Sequence, residues 1–105
     1  MTGRRALVYQ HDVHAGYLEE LGKDRYQFAY LDDYKGPPVS LTMPTSKRAY
    51  EYDTFPPPFE GLLPEGIQLE ALLRQKKLDR NDLMGQILAV GADVVGSLSI
   101  FPEEE

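Results

Sequence analysis

Up to about residue 65, apolar side chains in this chain recur at every second position or in short runs; beyond it they recur at three- and four-residue intervals. Arg5 to Gln10 is a short β-type run, His11 to His14 supplies a polar turn, and Ala15 to Leu21 continues as a second strand. Gly22-Lys23-Asp24 signals another turn. Arg25 to Leu31 then alternates, with Tyr26, Phe28 and Tyr30 on one face and Gln27 and Ala29 on the other. Successive strand side chains point to opposite faces, so this placement predicts an antiparallel meander with one buried face. Gly36-Pro37-Pro38 can continue neither helix nor central strand, which makes Asp32 to Pro38 a loop. Val39, Leu41 and Met43 alternate with Ser40 and Thr42 and predict a further short strand ended by Pro44. Thr45 to Asp53 has no clear period and is compatible with extended chain, and Phe55-Pro56-Pro57-Pro58-Phe59 reads as a rigid polyproline-like segment.

Past Glu65, Ile67, Leu69, Leu72 and Leu73 form a helical stripe that breaks around Lys76-Lys77. Asp79 is the expected N-cap of a second helix, with Asp82 three residues on and Leu83, Met84, Ile87, Leu88 and Val90 following at helical spacing. Gly91 stands where a C-terminal cap is expected, and Val94 to Phe101 reads as a last strand before Pro102 and three glutamates. This order predicts an α+β domain: a curled antiparallel β-sheet of about five strands packed against two α-helices of the C-terminal half, then a last strand. No repeat or low-complexity linker divides the chain, and 105 residues suit one domain over 1–105.

Composition narrows the function. There is no cysteine, which excludes disulfides, thiolate metal sites and cysteine nucleophiles. Seventeen acidic against eleven basic residues give a formal charge of −6, whereas a nucleic-acid binder needs a basic stripe to displace phosphate counterions. The basic clusters, Arg4-Arg5, Lys47-Arg48 and Arg74 to Lys77, have little aromatic interleaving, so no direct nucleic-acid contact is expected. The apolar run after the N-terminus, Ala6 to Tyr9, is shorter than the ~7–15 residues of a signal peptide. No apolar stretch approaches the ~20 residues that span a bilayer, so a soluble, cytoplasmic protein without membrane contact is expected.

Candidate chemistry is sparse. Gly61, Gly66, Gly85, Gly91 and Gly96 match neither the Walker nor the dinucleotide spacing. His11-Asp12-Val13-His14 reads as two solvated turn histidines rather than a metal site, because strand positions 11 and 14 face opposite ways. No histidine is suggestively placed for Ser40, Ser46, Ser97 or Ser99. Asp32-Asp33 and Glu103-Glu104-Glu105 read as a solvated loop and a frayed terminus. The expectation is a protein that is not an enzyme and uses neither cofactor nor metal.

The segment from Phe55 to Gly66 differs from ordinary loop sequence: two aromatics and two adjacent leucines are held between prolines, which fix φ and reduce the entropy lost on ordering. Phe59-Glu-Gly-Leu-Leu-Pro-Glu-Gly66, preceded by Val39-Ser-Leu-Thr-Met-Pro44, resembles the N-terminal subdomain of HipA-family serine/threonine kinases. The resemblance continues through Asp79-Arg-Asn-Asp-Leu83 and Gly91-Ala-Asp-Val-Val-Gly96-Ser-Leu-Ser-Ile-Phe-Pro102, nearly the whole chain in order. In those kinases the subdomain precedes a catalytic body with the nucleotide loop, catalytic aspartate and metal ligands, none of which is found here. A stand-alone version is similar to the HipS-type antitoxin of three-component, HipBST-like toxin–antitoxin modules. That similarity implies a HipA-like or HipT-like kinase partner, held inactive in trans, and a separate helix-turn-helix DNA-binding protein. A non-catalytic accessory subunit that completes a split HipA-like kinase is the alternative. Members of the HipS type can carry a bulky aromatic directly after the Leu-Leu-Pro-Glu-Gly motif; this chain has Ile67 there and no tryptophan. Within the segment, Glu60, Leu62, Leu63, Glu65 and Ile67 are the expected partner-binding residues, with Leu62 and Ile67 filling an apolar notch and Glu65 meeting a basic group near the kinase's nucleotide site.

With no phosphate loop and no metal-ligand set, the isolated protein is expected to give no saturable ATP binding in calorimetry at micromolar concentration, with or without magnesium. A saturable isotherm overturns the non-enzyme expectation.

Overall fold

In the computed structural model, which describes residues 4–93 and 97–103, five antiparallel strands form one open sheet. β1 (Arg5–Gln10) and β2 (Val13–Gly22) meet through a two-residue turn at His11 and Asp12, both at positive φ (50° and 67°). That is type I′ geometry, whose twist matches the flanking strands. β3 (Arg25–Tyr30) follows, β4 (Ala49–Tyr52) pairs with β3, and β5 (Leu98–Pro102) returns to pair with β1, giving the order β4-β3-β2-β1-β5. Three helices, α1 (Pro57–Glu60), α2 (Gly66–Lys76) and α3 (Leu83–Val90), lie between β4 and β5. The expected α+β architecture is observed, with one extra turn of helix.

The strand register explains the core. Ala6 lies opposite Leu18, Leu18 opposite Phe28, and Phe28 opposite Tyr50, so one row of large apolar groups crosses the sheet. A second row runs from Ile100 through Val8 and Gly16 to Tyr30. Phe59, Met84 and Ile87 from the helices and Tyr34, Val39, Met43 and Phe55 from the connections close over these rows. Each such side chain, taken fully out of water, favours the fold by about 1.5–3 kcal/mol relative to exposure. α3 packs against β5, and α2 against α3. Gly91 ends α3 with an ordinary helical φ of −60°, so its role is not the left-handed cap; a Cβ there would overlap the Ile100 carbonyl oxygen of β5.

Several local expectations are corrected. Residues 39–43 are not a strand. The Tyr30 hydroxyl accepts the Val39 N–H at 3.0 Å and donates to the Met43 carbonyl, while Met43 N–H turns back to Ser40 at 3.0 Å. A buried hydroxyl therefore takes the backbone groups a ladder would use. The strand on that edge of the sheet is β4, inside the Thr45 to Asp53 stretch. The proline run is not polyproline helix: Pro57 and Pro58 begin α1, where a missing N–H costs nothing because first-turn donors have no helical partner anyway. α3 starts at Leu83, not after Asp79; the Asp82 carboxylate accepts the Gly85 N–H at 3.0 Å, and the Asp79 carbonyl accepts the Asp82 N–H instead. The last strand begins at Leu98, and Val94 to Gly96 of the expected strand lie outside the described residues. His14 is not a solvated turn residue but belongs to β2 and stacks on Tyr9 at 4.9 Å, whereas His11 is exposed. Glu103 is not frayed: it accepts two bonds from Arg5, at 2.8 and 2.6 Å.

The Asp82 carboxylate that caps α3 is also held by Arg4. The Arg4 guanidinium donates to Asp82 at 2.8 and 3.1 Å and to Glu20 of β2 at 2.9 and 3.0 Å. These bonds hold both carboxyls below their usual range, with burial opposing and the backbone N–H bonds of Arg4 and Gly85 assisting. Groups whose folded pKa is depressed stabilise the fold above their ordinary pKa of about 4, and that stabilisation is lost as pH falls through the folded values. In urea titrations, stability is expected to fall on acidification below that point, and less steeply in Arg4→Met. Asp82→Ala is expected to cost about 1 kcal/mol at neutral pH, the usual loss of an N-cap, and more than Asp79→Ala.

Candidate partner-docking site

Phe55 and Phe59 fix the ends of the proline run. Phe55 is buried edge-on to Tyr26 at 5.3 Å, and Phe59 is buried 5.6 Å from Phe28. The Pro56 carbonyl accepts the N–H groups of Phe59 and Glu60 at 3.0 Å, and Leu62 and Leu63 continue the turn through bonds to Phe59 and Glu60. Both leucines are half-buried against the core. Beyond Pro64 the chain is extended at Glu65, then turns sharply at Gly66, whose φ is +61°. L-residues rarely adopt that conformation, so glycine permits the entry into α2. Immediately after it, Ile67 is 87% exposed. It is thus no part of the core stripe of α2, in which only Leu72 is buried.

The five expected residues therefore fall into two groups. Leu62 and Leu63 join the core margin, while Glu60, Glu65 and Ile67 face solvent. A cleft of about 160 Å³ brings Glu60, Leu63 and Glu65 together with Leu69 of α2 and Leu83 of α3, and Arg80 and Gln86 also line it. Leu62 and Ile67 do not line it. Arg80 is engaged by Glu70 at 2.6 Å, and Gln86 donates to the carbonyls of Asp79 and Arg80, which ties the connection between α2 and α3. Among the described residues neither Glu60 nor Glu65 forms an ion pair. Leucines beside two such carboxylates suit a side chain that is apolar along its stem and cationic at its tip.

The family model described as HipA N-terminal domain matches residues 6–101. The chain belongs to the HipA N-terminal domain family. A solved structure of the "N-terminal domain of HipA toxin" superposes with a TM-score of 0.77 at 27% identity, over 97% of this chain and 94% of that one. A chain in the Shewanella oneidensis MR-1 complex of HipA, HipB and operator DNA has the same fold, with a TM-score of 0.72 at 22% identity, over 95% of this chain and 24% of that one. An uncharacterized protein of Haemophilus influenzae is 28% identical over 102 residues, 97% of this chain and 95% of its own length.

This HipA N-terminal domain presents a second apolar group that the sequence pattern hides. Leu41, read as a strand residue, sits on the Ser40–Met43 turn and is 94% exposed. Its neighbours Val39 and Met43 are buried and held by Tyr30, so the leucine projects from a fixed base. Alternation gave the correct sides for Val39 and Met43. The exposure of Leu41 follows from the Tyr30 hydroxyl, a contact nine to thirteen residues away in sequence.

Gly66→Ala meets no neighbouring atom within 4 Å, so its cost is purely conformational. It is expected to lower stability in urea by about 1 kcal/mol, with Gly66→Asn losing less because asparagine visits the left-handed region more readily. Equal stability of the alanine variant and the unmodified protein would mean that α2 does not start through this turn.

Proposed function

We propose that this HipA N-terminal domain performs no catalysis of its own and docks on a HipA-family serine/threonine kinase in trans, as an antitoxin of the HipS type that holds the kinase inactive. The observation that carries this reading is Ile67: a large aliphatic group, almost wholly in water, held by a preorganised turn beside an acidic and apolar cleft. Leaving such a group in water forgoes the gain from burial, and rigid presentation lowers the entropy lost on association. The family match and the likeness to a solved N-terminal domain of HipA toxin support the kinase class of partner. The complex of HipA with HipB and operator DNA supports a DNA-binding protein in the same assembly, which would bring the domain near DNA without direct contact. No helix among the described residues is long and apolar enough to cross a membrane.

In the docked complex Leu62 and Leu63 support the turn from below, Ile67 enters an apolar notch, and Glu60 and Glu65 meet a basic group of the kinase. Ile67→Ala is expected to weaken capture of the cognate kinase by about 1–3 kcal/mol, the range of a central interface truncation. Its melting curve should match that of the unmodified protein, since exposed substitutions stay within about 0.5 kcal/mol. Glu65→Lys should slow association, the signature of a reversed rim charge. Kinase autophosphorylation with and without the domain is the functional test. Suppression supports the antitoxin, activity only in the presence of the domain replaces it with the accessory subunit, and no change in either assay removes the docking reading.

A further inference from the structure

The helices cover one face of the sheet, and the other face carries a connected aromatic surface. Leu7, Tyr9, Tyr17 and Phe101 alternate in their strands with the core residues Val8, Leu18 and Ile100, and therefore point away from the helices. Phe101 meets Tyr9 edge-on with centroids 5.5 Å apart, His14 stacks on Tyr9, and His14 meets Tyr17 edge-on at 5.1 Å.

One part of this face already holds a cation. The Arg5 guanidinium lies 4.2 Å from the Tyr17 ring centroid and is closed by the Glu103 carboxylate at 2.6 Å. Near the β1–β2 turn the same elements recur without the cation: an open cavity of about 380 Å³ is lined by Tyr9, Phe101, Ser99 and Asp12. Asp12 stands in the type I′ turn, and among the described residues it forms no ion pair.

We propose that this cavity receives an arginine side chain from a basic segment of a protein partner, with the guanidinium against Tyr9 and Phe101 and its charge met by Asp12. A guanidinium fits better than an ammonium because it is planar, weakly hydrated and stacks on aromatic faces. The formal charge of −6 attracts a basic protein segment and repels nucleic acid and anionic membrane. The site shares no residue with the Glu60–Ile67 turn, so it stands whether or not the domain docks on a kinase through that turn.

The test is a titration of isotope-labelled protein by NMR with acetyl-Gly-Arg-Gly-amide, and with acetyl-Gly-Gln-Gly-amide as the neutral counterpart. The arginine peptide is expected to give saturable shifts at Tyr9, Asp12, Ser99 and Phe101, and the glutamine peptide none. Asp12→Asn and Phe101→Leu should each weaken binding by about two- to fivefold, the size of one exposed charge or cation–π contact. Asparagine tolerates the positive φ of position 12, so an otherwise unchanged amide spectrum confirms that the hairpin is kept. Equal response to both peptides, unchanged affinity in both variants, or no saturable shift at the solubility limit of the arginine peptide overturns the proposal.

Discussion

The contact between Phe28 and Phe59 joins the two halves of this molecule. Phe28 sits in the middle of β3, flanked across the sheet by Leu18 and Tyr50, with Tyr30 edge-on at 4.9 Å. Phe59 comes from α1 and is buried 5.6 Å away. A one-residue slip of β3 would turn Phe28 to the open face and leave Phe59 without its partner. The sheet register thereby determines where α1 lies. α1 in turn determines where the chain leaves the core at Leu62 and Leu63, and so where Glu65 and Ile67 are presented.

That dependence divides roles within a short stretch of sequence. Phe55, Pro56 and Phe59 are buried and bear on stability; Glu60, Glu65 and Ile67 are exposed, and in the function proposed above they are the groups that meet the partner. A turn built this way would lose little entropy on docking, because its prolines and Gly66 have already restricted the backbone. The Ser40–Met43 turn repeats the design by other means. There a buried tyrosine hydroxyl, rather than proline, fixes the backbone, and Leu41 rather than Ile67 is displayed.

What the sequence made legible was mostly what local chemistry controls. The alternation of Tyr26, Phe28 and Tyr30 located β3 and its buried face, and the change of period near Glu65 located the start of α2. The misreadings have distant causes. Asp79 and Asp82 look alike as caps in sequence, whereas in the fold Asp82 is the one bonded to Arg4, 78 residues away, and the Asp79 carbonyl is taken by the preceding turn. Val39, Leu41 and Met43 alternate like a strand, yet Tyr30 claims their backbone groups. Among the candidate site residues, composition distinguished the loop but not its layers: Leu62, Leu63 and Ile67 look alike in sequence, and only the left-handed turn at Gly66 separates the half-buried pair from the exposed isoleucine.

An open sheet covered on a single face leaves a small protein with apolar surface it cannot bury against itself. Here the uncovered side carries Leu7 and Phe101 but also several amphipathic groups: Tyr9, His14 and Tyr17 pack on one another, and Arg5 lays its guanidinium over Tyr17. Such groups tolerate water better than aliphatic ones, since each keeps a polar tip solvated. Elsewhere Leu41 and Ile67 stand as bare aliphatic groups on rigid turns. Amphipathic aromatics suit contacts that form and part in water, whereas isolated aliphatic groups gain most from a fitted apolar pocket. The open face and the exposed turns thus offer chemically different surfaces, and the cavity at Tyr9 and Phe101 shares no lining residue with the cleft at Glu60 and Glu65.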